Sequence, residues 1–397
     1  MKIRAFLLAF LTAIVLVAAI DLVTNSLDTL KFTWDFKYYI GMTEHGFKAD
    51  PLIGPFAYRY PTPFFASALI SFFKITVEQA YKTIAYTGGI LQLFSVFLIV
   101  YHFFRSRKIA YLSMLVLAFT FMNVKFLLFD IYRPDHLAYS LITLSMYFAL
   151  KHRYYALLIT SCIAVQFREF GILPLFSYLL YLLLQKEWRK IMAYAIPTGI
   201  ALFAAVVLPR MLIPVTDTIQ FVNSQSGKRS RLFKYLLSPK RNLNFLFTMA
   251  AYFLPFLMLI SKERMAKLKS DLPTDQLKIV VCYICFVTFL SFLGGGDLAR
   301  FMTYYFIAQI FLLGALFKYT STTEITVMLI ATFIFNRMWM QVPMNSLDQY
   351  LDFYAGFSTR VNFISFLRIG ELIGFVLIGK WIRKRFAQPV FEKELSV

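Results

Sequence analysis

Ala5-Phe6-Leu7-Leu8-Ala9-Phe10-Leu11-Thr12-Ala13-Ile14-Val15-Leu16-Val17-Ala18-Ala19-Ile20 carries no charge, and the apolar run continues past Asp21 to Val23. A helix of about 19 residues is about 28 Å long, close to the roughly 30 Å hydrocarbon core of a bilayer. The preceding Met1-Lys2-Ile3-Arg4 gives the stretch the charged start of a signal peptide. The run is long enough to cross, however, and no A-x-A-like cleavage site follows. We read it as a retained first membrane helix.

The rest of the chain repeats this pattern. Further apolar stretches lie at 84–104, 108–129, 137–150, 154–167, 171–185, 190–210, 243–261, 278–293, 301–318, 323–340 and 362–382. Twelve crossings are therefore expected in an all-α polytopic membrane protein, folded as a single transmembrane domain over 1–397. Composition agrees, because the 397 residues are 59% hydrophobic and 16% charged, with 45 Phe and 24 Tyr. Soluble chains carry about 25% charged residues. The net charge of +20 would suit a nucleic-acid binder. Here the basic residues form short runs between apolar stretches, which is a topology signal, so no nucleic-acid partner is expected. Cys162, Cys282 and Cys285 sit inside apolar segments; packing accounts for them better than a disulfide or metal site.

An even number of crossings puts both termini on one side. With the N-terminus cytoplasmic, the basic connections at 105–108, 151–153, 186–190 and 262–269, Lys318 and the tail 380–385 all fall inside, as the positive-inside rule requires. Residues 63–77 are apolar as well. Counting them as a crossing would invert every later loop, so they are expected to form an amphipathic or re-entrant helix on the outer face. Outer loops then cover 24–83 and 211–242, with turns near 130–136, 168–170 and 294–300 and a loop at 341–361.

The ionisable residues Asp35, Glu44, His45, Arg59, Arg133, Asp135, His136, Arg168, Glu169, Asp297 and Arg300 gather on that outer face. Charges near a bilayer are costly and usually face a cavity and one another. Arginine binds phosphate bidentately, and a carboxylate can take a proton from an attacking hydroxyl. The cluster is what a site for an anionic substrate needs.

The first loop reads Trp34-Asp35-Phe36-Lys37-Tyr38-Tyr39, then Glu44-His45-Gly46-Phe47, then Pro55-Phe56-Ala57-Tyr58-Arg59-Tyr60-Pro61. In this order it resembles the GT-C superfamily of polytopic membrane glycosyltransferases, in which a W-D-x-x-x-Y-like pattern and a G-[YF] follow the first helix. The resemblance implies a GT-C-like fold and a polyprenyl-phosphate-linked sugar as donor. The transfer would be inverting, to a lipid, glycan or protein acceptor on the non-cytoplasmic face of a bacterial cytoplasmic (inner) membrane. By the same resemblance Asp35 is the catalytic base or the ligand of a divalent cation, with Glu44 and Asp135 as further candidates. Tyr58, His45 and His136 lie beside them. No D-x-D or E-x-D pair occurs in the first loop, which leaves metal dependence and acceptor open. The plain alternative for Asp35 is a helix cap beside an aromatic belt.

Three other places fit the pattern. Tyr132-Arg133-Pro134-Asp135-His136 caps an outer turn, where Asp135 could equally be a first-turn carboxylate favoured by the helix dipole. Arg168-Glu169 sits between two short apolar stretches, where a self-neutralising pair is the plain account. Gly294-Gly295-Gly296-Asp297-Leu298-Ala299-Arg300 opens a helix, and helix N-termini favour anions. Arg59, Arg133, Arg168 and Arg300 are the expected phosphate ligands. The basic loop residues Lys228, Arg229 and Arg231 are expected at lipid headgroups or the donor phosphate, although long loops also translocate regardless of charge. A transporter or flippase of an anionic lipid or glycan is the alternative. It would place charges at mid-membrane with internal repeats, and no repeat is seen.

Overall fold

The computed structural model describes residues 2–29, 35–54, 56–216, 238–271, 274–293, 301–343 and 363–386. All regular structure among these residues is helical. The first helix, α1 (Lys2–Leu22), buries Ala9, Ala13 and Val17 at four-residue spacing, while Leu7, Leu8 and Val15 are exposed. Small residues let it lie close against α4. In the segment that follows, α2 (Phe36–His45) and α3 (Pro61–Phe73) pack on each other and α3 also packs on the next helix, α4 (Val77–Phe104). At 13 residues, or about 20 Å, α3 is shorter than a crossing.

The 28-residue α4 (Val77–Phe104) is the spine. A capping box starts it: Thr76 Oγ1 accepts from Gln79 N at 3.2 Å while Thr76 N donates to Gln79 Oε1 at 2.9 Å. Against it pack α5 (Arg107–Ala118), α6 (Val124–Phe129) and α7 (Asp135–Leu150), and α8 (Tyr154–Phe167) and α9 (Leu173–Leu184) pack in turn on α7. The expected crossing at 108–129 is thus two helices with a turn between them. Lys125 of α6 is fully buried, donating to the carbonyls of Arg337 and Met338 at 3.1 and 3.0 Å and to that of Met340.

Beyond these, α10 (Trp188–Leu202) continues through a π turn, Phe203–Val207, into α11 (Leu208–Leu212). Met192, Ile196 and Ile200 are exposed along one stripe of α10, which water would penalise and lipid would not. The second half comprises α12 (Pro239–Tyr252), α13 (Leu254–Leu259), α14 (Lys262–Asp271), α15 (Thr274–Leu293), α16 (Phe306–Phe317), α17 (Thr322–Phe335) and α18 (Phe363–Phe386). Where a crossing is expected at 243–261, the helix breaks at Phe253, two residues ahead of Pro255.

Among the described residues, four helical segments are long and apolar enough to cross a membrane unaided: Ile3–Leu22, Val77–Phe104, Trp188–Leu212 and Thr274–Ser291. Shorter apolar helices, such as Tyr154–Phe167 at 14 residues, fall short of a bilayer's thickness. One hydrophobic cluster runs from Ala9 to Leu372 and joins both halves.

Candidate active site

Two close backbone approaches build the floor of the site. A Cβ on Gly88 of α4 would lie 2.7 Å from the backbone of His136, so α4 and the start of α7 touch directly. A Cβ on Gly171 would lie 2.4 Å from the backbone carbon of Ala164, so the turn Glu169–Ile172 folds tightly against the end of α8. Between them Arg168 is extended, at φ −157° and ψ 135°. Arg168 and its neighbour Glu169 therefore reach mainly to different partners.

Arg168 is 3% exposed, and its Nε lies 3.1 Å from Oδ1 of Asp135, itself 1% exposed. Tyr304, just ahead of α16, donates its hydroxyl to the same oxygen at 2.9 Å. Glu169 turns to the first loop, where Arg59 donates from Nε and Nη2 to Oε1 at 3.1 and 2.8 Å and from Nη2 to Oε2 at 3.0 Å. Arg59 Nη1 also donates to the Tyr39 hydroxyl at 3.2 Å. Arg168 stands 4.0 Å from Glu169 Oε2, so the two ion pairs adjoin. A third pair joins Arg133 to Asp130.

Burial acts to raise the Glu169 carboxyl, but Arg59 and Arg168 outweigh it and hold it below the ordinary carboxylate range. Burial pushes the Tyr39 phenol above its usual value against the opposing pull of Arg59 and Arg168, so it stays a neutral donor and acceptor. Aromatic rings wall the group: Tyr38 stacks on Phe56 at 4.8 Å, Tyr81 meets Tyr132 at 5.1 Å and Phe170 stacks on Tyr304 at 4.2 Å. Tyr81 donates its hydroxyl to Tyr39 O at 3.1 Å and so ties α2 to the spine.

Asp35, Arg59, Asp130, Arg133, Asp135 and Arg168 line one narrow cleft. Its free volume of about 10 Å³ is the room of one water, so ligand groups would enter it end-on. Asp35 sits at its mouth, exposed, at the N-terminus of α2, and its side chain makes no capping bond. Asp130, Asp135 and Glu169 are each held by an arginine; among the described residues Asp35 is in no ion pair.

Of the other expected site residues, Glu44 and His45 lie at the far end of α2, about 14 Å along its axis, exposed and 3.9 Å apart. The Tyr58 ring lies under the Arg210 guanidinium at 5.1 Å. His136 is fully buried against Gly88, and its Nε2 bonds Ile131 O at 2.8 Å. Lys228, Arg229, Arg231, Asp297 and Arg300 lie outside the described residues. The loop at 211–242 does meet the first loop at its start, where Thr216 N donates to Leu52 O at 2.9 Å and Leu52 N to Thr216 Oγ1 at 2.8 Å.

Sequence reasoning missed Tyr39, Asp130 and Tyr304. Asp130 could have been found, since it precedes Arg133 by three residues in a turn. Tyr304 could not, because 169 residues separate it from Asp135. Among the described residues no three His, Cys, Asp or Glu side chains come together as a metal ion would need. No family model, no curated protein and no solved structure matches this chain.

Proposed function

We propose that the chain is a twelve-helix, GT-C-like membrane glycosyltransferase with both termini in the cytoplasm, moving a sugar from a polyprenyl phosphate to an acceptor hydroxyl at the outer face. The observation that carries this is the division of labour in the cleft. Asp130 and Asp135 in its lining and the adjoining Glu169 are each committed to an arginine, while Asp35 faces the cleft with no such partner among the described residues. A carboxylate held by a guanidinium is a poor base; an uncommitted one can accept a proton.

In this reading Asp35 takes the proton of the acceptor hydroxyl as its oxygen bonds to the anomeric carbon. The carbon–oxygen bond to the phosphate breaks, and polyprenyl phosphate leaves with the electron pair. Arg59 and Arg168 stand where the departing anion needs charge. Glu169 and Asp135 hold their guanidinium planes in place, so little reorganisation accompanies the step. Arginine has five N–H donors, so an arginine paired with a carboxylate can still meet a phosphate oxygen.

The test is sugar transfer by the purified protein from a panel of polyprenyl-phosphate sugars. Asp35→Asn should keep the fold and donor binding and lower turnover by about 10²–10⁴, the usual contribution of a positioned base. Full activity in that variant would remove Asp35 from the mechanism. Sidedness has its own test. His45→Cys should react with a membrane-impermeant maleimide in intact cells and Met265→Cys should not; the reverse would put the cleft in the cytoplasm.

A further inference from the structure

At the other end of α4 from the polar cleft, a crevice of about 330 Å³ opens between α1, α4 and α7. Ser95, Leu98, His102 and Arg105 follow one another down its α4 wall, with Phe6 and Leu144 facing them. The ten steps from Ser95 to Arg105 rise roughly 15 Å, half of a hydrocarbon core about 30 Å thick. The crevice is thus one leaflet deep, apolar along its length and basic at its rim. No carboxylate is among the residues that line it. Leu98 and Leu144 are 37% and 40% exposed, so it opens sideways.

Arg105 terminates α4 at φ +54°, the left-handed conformation that glycine adopts without strain. An arginine there is unfavourable for the backbone, and it brings a cation to the mouth of an apolar slot. Lys151 adds a second positive charge at the same end, its Nζ 5.8 Å from the Phe103 ring.

We propose that this crevice binds an anionic phospholipid of the cytoplasmic leaflet. One acyl chain lies along α4 from Ser95 to His102, and the phosphate meets Arg105. An apolar wall one leaflet long fits an acyl chain, and a rim of cations without carboxylates fits an anionic headgroup. The site is separate from the polar cleft and does not depend on what the cleft does.

The experiment is native mass spectrometry of the full chain, extracted from nanodiscs of mixed phosphatidylglycerol and phosphatidylcholine, scoring retained lipid. Wild-type protein should retain phosphatidylglycerol preferentially. Arg105→Gly relieves the backbone, so its melting temperature should hold or rise, while the preference falls about fivefold, the effect of one interfacial cation. Leu144→Trp fills the slot and should remove the bound lipid. Lys186→Gly removes a cation from another left-handed helix end, at φ +58°, that does not line this crevice, and should leave the preference unchanged. Equal retention of both lipids by wild type would overturn the proposal and mark a generic lipid contact. So would an unchanged preference in Arg105→Gly, lipid retained by Leu144→Trp, or an equal loss in Lys186→Gly.

Discussion

Two groups of buried ion pairs use the same residue types and are built differently. At the cleft, Arg59–Glu169 and Arg168–Asp135 join the first loop, the α8–α9 connection and the start of α7, and Arg59, Arg168 and Asp135 line its narrow space. The second group joins α14 to α17. There Arg264 Nη2 donates to Glu324 Oε2 at 2.8 Å, Ser321 N and Oγ donate to the same oxygen at 3.0 and 2.9 Å, and Arg264 Nη1 donates to Leu259 O at 2.9 Å. Every partner in this second group is a helix end or a cap. It is a fastening that closes helix termini, and no described cavity adjoins it. Buried charge alone therefore does not mark a site; convergence from distant segments upon a cleft does.

The fastening should answer to stability first. Glu324→Ala leaves Arg264, 7% exposed, without its carboxylate and should cost about 3–5 kcal/mol in thermal or denaturant unfolding. Replacing the pair together, as Arg264→Met with Glu324→Leu, should recover most of that loss. A silent Glu324→Ala would erase the contrast between the two groups.

Gly171→Ala tests the cleft's support. The added Cβ meets backbone that cannot yield without moving the connection, so stability should fall by about 1–3 kcal/mol. Because Arg168 and Glu169 are carried on that connection, sugar transfer should fall further than the melting temperature accounts for. Equal falls would mean that the turn serves the fold alone.

Smaller again is a pH effect. The Glu169 carboxyl is depressed in the folded state, so its stabilising contribution is present above the ordinary carboxylate range and is lost as pH falls through the lower folded value. The melting temperature of wild type should drop more steeply than that of Glu169→Gln upon acidification below about pH 4.5. Parallel curves would show that Arg59 does not stabilise the charged carboxylate.

Smallest should be Glu44→Gln and His45→Ala. Both residues are exposed and stand 3.9 Å apart, so stability should stay within about 0.5 kcal/mol and activity should not change. Loss of transfer in either would extend the site along α2.

Much of this arrangement was legible in the sequence because membranes impose long-range rules on local pattern. Apolar length places α1 and α4, and the short helix expected over 63–77 is found as Pro61–Phe73. Asp35, Arg59, Arg133, Asp135, Arg168 and Glu169 were visible because charge is scarce in such a chain. Their pairing was not: adjacent Arg168 and Glu169 looked like a self-neutralising couple, and only the extended backbone at Arg168 sends them apart. His136 read as a site residue because histidine is rare here, yet the glycine opposite it makes it a packing residue. The buried Lys125 escaped notice inside an apolar run, since its partners are backbone carbonyls more than 200 residues away.

The most direct measurement is the affinity of purified wild type, Arg59→Gln, Asp35→Asn and Glu324→Gln for polyprenyl phosphate, the leaving group of the proposed reaction. Arg59→Gln should bind about 10- to 150-fold more weakly, the loss of one charge-assisted contact worth about 1.5–3 kcal/mol. Asp35→Asn and Glu324→Gln should bind as wild type does. Equal affinity in all four proteins would contradict the account, because the cleft's arginines would then hold only the fold.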